Sequence, residues 1–118
     1  MAASKLKLLI DQGATFRKKL TWKAGSPAVP VDLTGCTARM QIRAEISADV
    51  PLATLTTENG GITLGGISGT VELFMDDAKT SAFSWAEAVY DLEVVLANGD
   101  VRRLLFGAVV VSPEVTRG

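Results

Sequence analysis

The dominant pattern along this chain alternates apolar and polar residues with a period of two. "TARMQIR" places Ala38, Met40 and Ile42 on one face and Arg39, Gln41 and Arg43 on the other. "TVELFM" puts Val71, Leu73 and Met75 on one face. "AVYDLEVVL" opposes Tyr90, Leu92, Val94 and Leu96 to Asp91 and Glu93. In "TFRKKLTW", Phe16, Leu20 and Trp22 share a face, with Thr15, Arg17, Lys19 and Thr21 opposite. Lys18 interrupts that apolar face, as a strand at a sheet edge or near its end tolerates. Such alternation predicts half-buried antiparallel strands rather than the continuous apolar runs of a parallel sheet.

The last segment, "VRRLLFGAVVVS", departs from this rhythm and is apolar on both faces after Arg103. Two arrangements fit it: a central strand buried on both sides, or a strand buried against a partner. In the second, Leu105, Val109 and Val111 are candidate contact residues. Gly107 inside the run predicts a bulge or the close approach of another backbone. The opening "KLKLLI" is a candidate for one more strand.

Turn residues separate these segments. "KAGSPAVP" holds a glycine and two prolines, and Asn59-Gly60 is a strong tight-turn dipeptide. "LGGISG" follows so closely that "ITL" between them has room only for a very short strand. Asn98-Gly99 predicts a hairpin that joins Ala88–Leu96 to Val101–Val111. Only "MDDAKTSAFSW" breaks the strand rhythm. Asp76 and Asp77 suit a helix start, and Ala78, Ala82 and Phe83 suit its inner side. The expectation is an all-β chain: an immunoglobulin-like antiparallel β-sandwich over residues 1–118, a single domain, with one short helix near residues 76–83.

Composition narrows the chemistry. A chain of 118 residues buries roughly two-thirds of its unfolded surface and folds without staples. A hydrophobic share of 47% with 21% charged residues argues against disorder. With no histidine and one cysteine, the chain has no histidine-based catalysis, no internal disulfide and little basis for a zinc site. No apolar run approaches the roughly 20 residues of a membrane span. Leu8–Ile10 is too short for a signal-peptide core, so the expectation is a protein used without general secretion and without a membrane. The net charge of −1 argues against nucleic acid as a partner. Charge is uneven, however. Residues 1–43 hold eight Lys/Arg and two Asp/Glu, whereas residues 44–118 hold four and eleven. Either the folded sheets intermix the two sets, or the molecule has a basic and an acidic side suited to head-to-tail contacts.

Candidate sites are few. Cys36 lacks a histidine base and reads as a small, semi-buried residue at a strand start. Asp91 and Glu93, with Glu72 across from them, read as a solvated outer sheet face before an acid–base or cation site. The glycines of "ENGGITLGGISG" lack the strand and helix setting of a phosphate loop. Arg17, Lys19, Arg39 and Arg43 form one basic stripe if their strands are neighbours. Exposed aromatics do not accompany them, so the stripe suits a protein partner better than nucleic acid. No catalytic, cofactor or metal residue is assigned, and the chain is not expected to be an enzyme.

The order of motifs carries more. "DQGATFRKKLTW", a Gly/Pro loop, "PVDLTGCTARMQIR", "LTTENGGITLGGISGTVELFM" and "AVYDLEVVLANGDVRRLLFGAVVVSPEVTR" follow one another. This order resembles a family of small phage and prophage structural proteins. It is also similar to the N-terminal immunoglobulin-like domain of upper baseplate proteins, which carry receptor-binding proteins on siphophage tails. The likeness spans roughly Ile10 to Arg117. The family's "dG.p.dLtG.t" segment matches Pro30 to Cys36. The resemblance implies a non-enzymatic β-sandwich built into a virion and assembled in the host cytoplasm. Its implied partners are other virion proteins and copies of itself, and no cofactor is implied. Upper baseplate proteins continue into a long fibre or coiled region, whereas this sequence ends at Gly118. A stand-alone tail, baseplate or fibre-attachment adaptor is therefore expected. The alternatives are a capsid decoration or cement protein and a carbohydrate-binding adhesion module.

Overall fold

In the computed structural model of the chain, residues 3–116 are described. Residues 1–2 and 117–118, the ends of the expected domain and of the resemblance at Arg117, lie outside the described residues. The chain opens with β1 (Ser4–Lys5), β2 (Leu8–Asp11), β3 (Phe16–Thr21), β4 (Lys23–Ala24) and β5 (Val29–Pro30). It continues through β6 (Thr37–Arg43), β7 (Ala53–Thr56), β8 (Ile62–Leu64) and β9 (Thr70–Met75). Helix α1 (Asp77–Ser81) then leads to β10 (Glu87–Val95) and β11 (Val101–Ser112). The Asp76 carboxylate caps α1 by accepting from the Lys79 N–H, so the helix starts where the two aspartates predict.

Two sheets face each other. One runs β1–β11–β10–β6–β7, with β2 also on β11, and the other runs β3–β9–β8. A small ribbon, β4–β5, stands apart. The chain changes sheet after β2, before β6, after β7 and before β10, which is the immunoglobulin-like order of crossings. One correction to the expected pairing follows from the first crossing. β1 and β2 lie parallel to β11, so the sandwich is not wholly antiparallel. No hairpin ties β2 to β11, and no tight turn therefore dictates its direction.

The alternating residues meet between the sheets. Met40, Ile42, Leu55, Leu92, Val94 and Val109 of the larger sheet join Ile62, Val71, Leu73 and Met75 of the smaller one in a single buried cluster. Leu105, Val109 and Val111 are 7%, 0% and 5% exposed and belong to that cluster. They are core residues and are not available as a contact surface. The "DLTG" corner is a turn: Cys36 N–H reaches the Leu33 carbonyl at 3.0 Å, and Gly35 takes φ 79°. The Asp32 carboxylate is held below its ordinary range by hydrogen bonding to the Thr34 side chain and then its N–H. Leu33 is buried, and Cys36 packs half-buried beside the core.

Gly107 marks a close approach rather than a bulge. A Cβ there would lie 2.5 Å from the Leu6 carbonyl oxygen, and the residue takes φ 153°. The Leu6 backbone crosses at this point, between β1 and β2, and its carbonyl accepts the Tyr90 hydroxyl at 2.6 Å. The register slip itself falls farther along, where Leu92 pairs Leu105 but Glu93 pairs Arg103. At the first crossing, "QGAT" is stapled to its surroundings. Gln12 Nε2 donates to the Phe83 carbonyl and its Oε1 accepts from the Glu114 N–H. Thr80, wholly buried on α1, accepts from the Gly13 N–H at 3.1 Å and donates to the Ala14 carbonyl at 2.9 Å.

Thr80→Val is expected to cost about 1 kcal/mol, because it removes the hydroxyl that bonds the Gly13 N–H and the Ala14 carbonyl at a partly buried crossing. Chemical denaturation will show the loss as a lower midpoint at unchanged slope. Burial pushes the Tyr90 hydroxyl up to about 12 from 10.0. The folded state holds this proton more tightly, so the associated stability is complete below pH 10 and declines as the pH rises through 12. Tyr90→Phe is expected to flatten stability against pH in that window while removing about 1 kcal/mol at neutral pH. Denaturant midpoints measured from pH 7 to 12 check both effects.

Candidate protein-contact face

The outer face of the larger sheet collects residues from strands far apart in sequence. On β10 the outward positions are Glu87, Val89, Asp91, Glu93 and Val95, because Ala88, Tyr90, Leu92 and Val94 point into the core. Register places Arg43, Gln41 and Arg39 of β6 beside Val89, Asp91 and Glu93. On the other side it places Ala108, Phe106 and Arg103 of β11 beside the same residues. Lys5 of β1 lies beyond Phe106, and Leu9 of β2 beyond Val110.

Charges on this face are largely paired across strands. Arg39 Nε meets Glu93 Oε1 at 2.8 Å. Arg103 Nε lies 3.6 Å from Asp91 Oδ2 and covers the Phe106 ring at 4.4 Å from its centroid. Arg43 donates to Gln41 Oε1 and to the Ala48 carbonyl, both at 2.7 Å, and so ties the 44–52 loop to the sheet. That loop holds Ile46 out at 89% exposure. Between the paired charges lies a shallow trough of about 810 Å³, floored by Val89, Phe106, Gly107 and Ala108 and bordered by Lys5, Arg43 and Ile46. An apolar centre inside a charged rim is the anatomy of a protein contact.

The expected basic stripe is not one surface. Arg39 and Arg43 lie here, whereas Arg17 and Lys19 lie on the outside of the smaller sheet, on β3. There Arg17 stacks 4.5 Å from the centre of Phe74 and lies 3.7 Å from Glu72, and Lys19 is opposite Glu72 in register. Glu72 is thus on the far side of the sandwich from Asp91 and Glu93, and the three carboxylates do not converge. The basic first part of the sequence is interleaved with the acidic second part by strand pairing. Among the described residues, no three His, Cys, Asp or Glu side chains are placed to hold a metal ion, and no helix is long and apolar enough to cross a membrane.

Sequence reasoning missed Val89, Phe106, Ala108 and Ile46. The parity of Val89 with Asp91 and Glu93 was a usable signal: an apolar residue on the acidic face. Phe106 and Ala108 alternate with Leu105 and Val109 in a segment apolar on both faces, which gives no sign of which side is the core. Ile46 sits in an irregular loop with no period to read.

The sheet edges are guarded. Asn59 bonds the Thr56 N–H and the Thr54 carbonyl of β7 through its carboxamide. β8 has three residues, the β1–β2 edge breaks at Leu6–Lys7, and β3 carries Arg17, Lys18 and Lys19 in succession. Charges and short strands of this kind discourage strand addition. No family model matches the chain, and no curated protein matches it.

The Arg39–Glu93 and Arg103–Asp91 pairs are exposed, so they contribute little to folding. Arg39→Ala and Arg103→Ala are each expected to change unfolding free energy by less than about 1 kcal/mol. Urea titration checks this, and the difference from the parent protein should shrink in high salt.

Proposed function

We propose that this chain is a non-enzymatic structural protein of a phage virion, a tail, baseplate or fibre-attachment adaptor that works through protein–protein contacts. The observation that carries the contact-making reading is the outer face of the larger sheet, where half-buried Val89 and Phe106 and exposed Ala108 lie among cross-strand charge pairs, with Arg103 over the Phe106 ring. The phage assignment rests on the resemblance of the motif order. The motifs that carry it fall at structural joints: "DQGAT" at the stapled crossing and "DLTG" at the corner before β6. A rigid sandwich with guarded edges suits a part held among many neighbours, since its contacts are limited to chosen faces. Phe74 and Phe106 are both covered by arginines, which leaves them poorly placed as stacking platforms for sugars.

Gold-labelled antibody against the chain is expected to mark the tail or baseplate of intact particles. Label on the head alone would replace the adaptor reading with a decoration role. Particles that carry no label and retain full infectivity after deletion of the coding region would sink the virion reading.

A further inference from the structure

The outer face of the larger sheet sets apolar residues among charges that are complementary to a second copy at Glu93 and Arg103. We infer that two copies pair through this face about a two-fold axis that runs along the seam between β10 and β11. The inference rests on the contact-making reading above and names the partner for it.

The apolar residues of the face flank this seam, with Val89 on one side and Ala108 and Phe106 on the other, and Glu87, Asp91, Glu93 and Arg103 complete it. A two-fold axis along it lays each copy's β10 over the partner's β11. Val89 then meets Ala108 of the partner subunit, and Glu93 meets Arg103 of the partner subunit, each contact occurring twice. An axis along β10 itself would instead stack acid on acid, since Asp91 and Glu93 share that strand. The seam arrangement also accounts for two exposed apolar residues that the single chain leaves uncovered. Ile46 follows β6 on one flank, and Leu9 lies on β2 at the other, exposed at 89% and 67%. Rotation about the seam carries each Ile46 to the flank that bears Leu9 of the partner subunit.

Area supports a reversible dimer. The strands of this sheet, from two residues in β1 to twelve in β11, at about 4.8 Å spacing and about 3.4 Å per residue give roughly 600 Å² of face per copy. Two copies together exceed the roughly 1,000 Å² that a specific interface needs, at the lower end of the range. The intramolecular charge pairs already lower the cost of removing this face from water. The edges offer no competing route, because Asn59 occupies the β7 groups and Lys18 stands on the inward side of β3.

Sedimentation velocity over a range of concentrations tests the pairing. The parent chain is expected to show a concentration-dependent dimer. Ile46→Glu and Phe106→Glu should each weaken it about 10-fold or more. Ile46 is exposed, so its substitution leaves the fold intact by circular dichroism. Glu93→Lys and Arg103→Glu should each weaken self-association by opposing like charges across the axis, and mixing the two proteins should restore a dimer. A monomer at every concentration, a dimer indifferent to Ile46→Glu and Phe106→Glu, or a mixture that fails to recover would overturn the proposal. A monomer that still labels the virion would end the dimer and leave the virion reading in place. A dimer absent from particles would do the reverse.

Discussion

The passage of the chain from one sheet to the other at Gln12–Thr15 is the constraint on which the rest depends. A crossing in a sandwich must leave the sheet hydrogen bonds while staying close to the core. Here the groups given up are collected by two side chains. The Thr80 hydroxyl both accepts from Gly13 and donates to the Ala14 carbonyl, and the Gln12 carboxamide reaches both Phe83 and Glu114. α1 is therefore more than a connection between β9 and β10, because it supplies the buried hydroxyl that holds the crossing. With the crossing fixed, β2 lies on β11 and β3 on β9, so the two sheets close over one core.

The outer surfaces follow from the same pairing. Basic residues cluster in the first 43 positions, yet β6 pairs with β10 and β3 with β9, and each basic strand lies against an acidic one. A gradient along the sequence becomes a checkerboard in space. This pairs much of the charge on each sheet face within the chain. An arginine covers a phenylalanine on each face, Arg17 over Phe74 and Arg103 over Phe106, and the larger sheet adds Val89 and Ala108 beside it.

Local order was legible where the chain alternates strictly. Met40 and Ile42, Val71 and Leu73, and Leu92 and Val94 all point inward as the period requires. The hairpin at Asn98-Gly99 and the helix cap at Asp76 carry their own chemistry in a few residues. The placement of strands in sheets was not legible, because it depends on pairings between distant segments. That is why Arg17 and Lys19 were grouped with Arg39 and Arg43, although a whole sandwich separates them. The same limit hid the role of Leu105, Val109 and Val111. A strand apolar on both sides gives no sign of which side is the core until its neighbours are known. Gly107 was readable as a bulge or a close approach, and only the fold decides for the approach and identifies the visitor as Leu6.

The parallel seating of β2 on β11 has a consequence in time. Leu8–Asp11 leave the ribosome long before their partners Val109–Ser112. Gln12 likewise waits for Glu114, 102 positions later. The larger sheet therefore cannot close on its N-terminal side until β11 has been made, and until then the outer edge of β10 is open to any strand nearby. Non-local closure of this kind also slows folding. Formation of this sandwich is therefore paced by that late pairing as well as by translation.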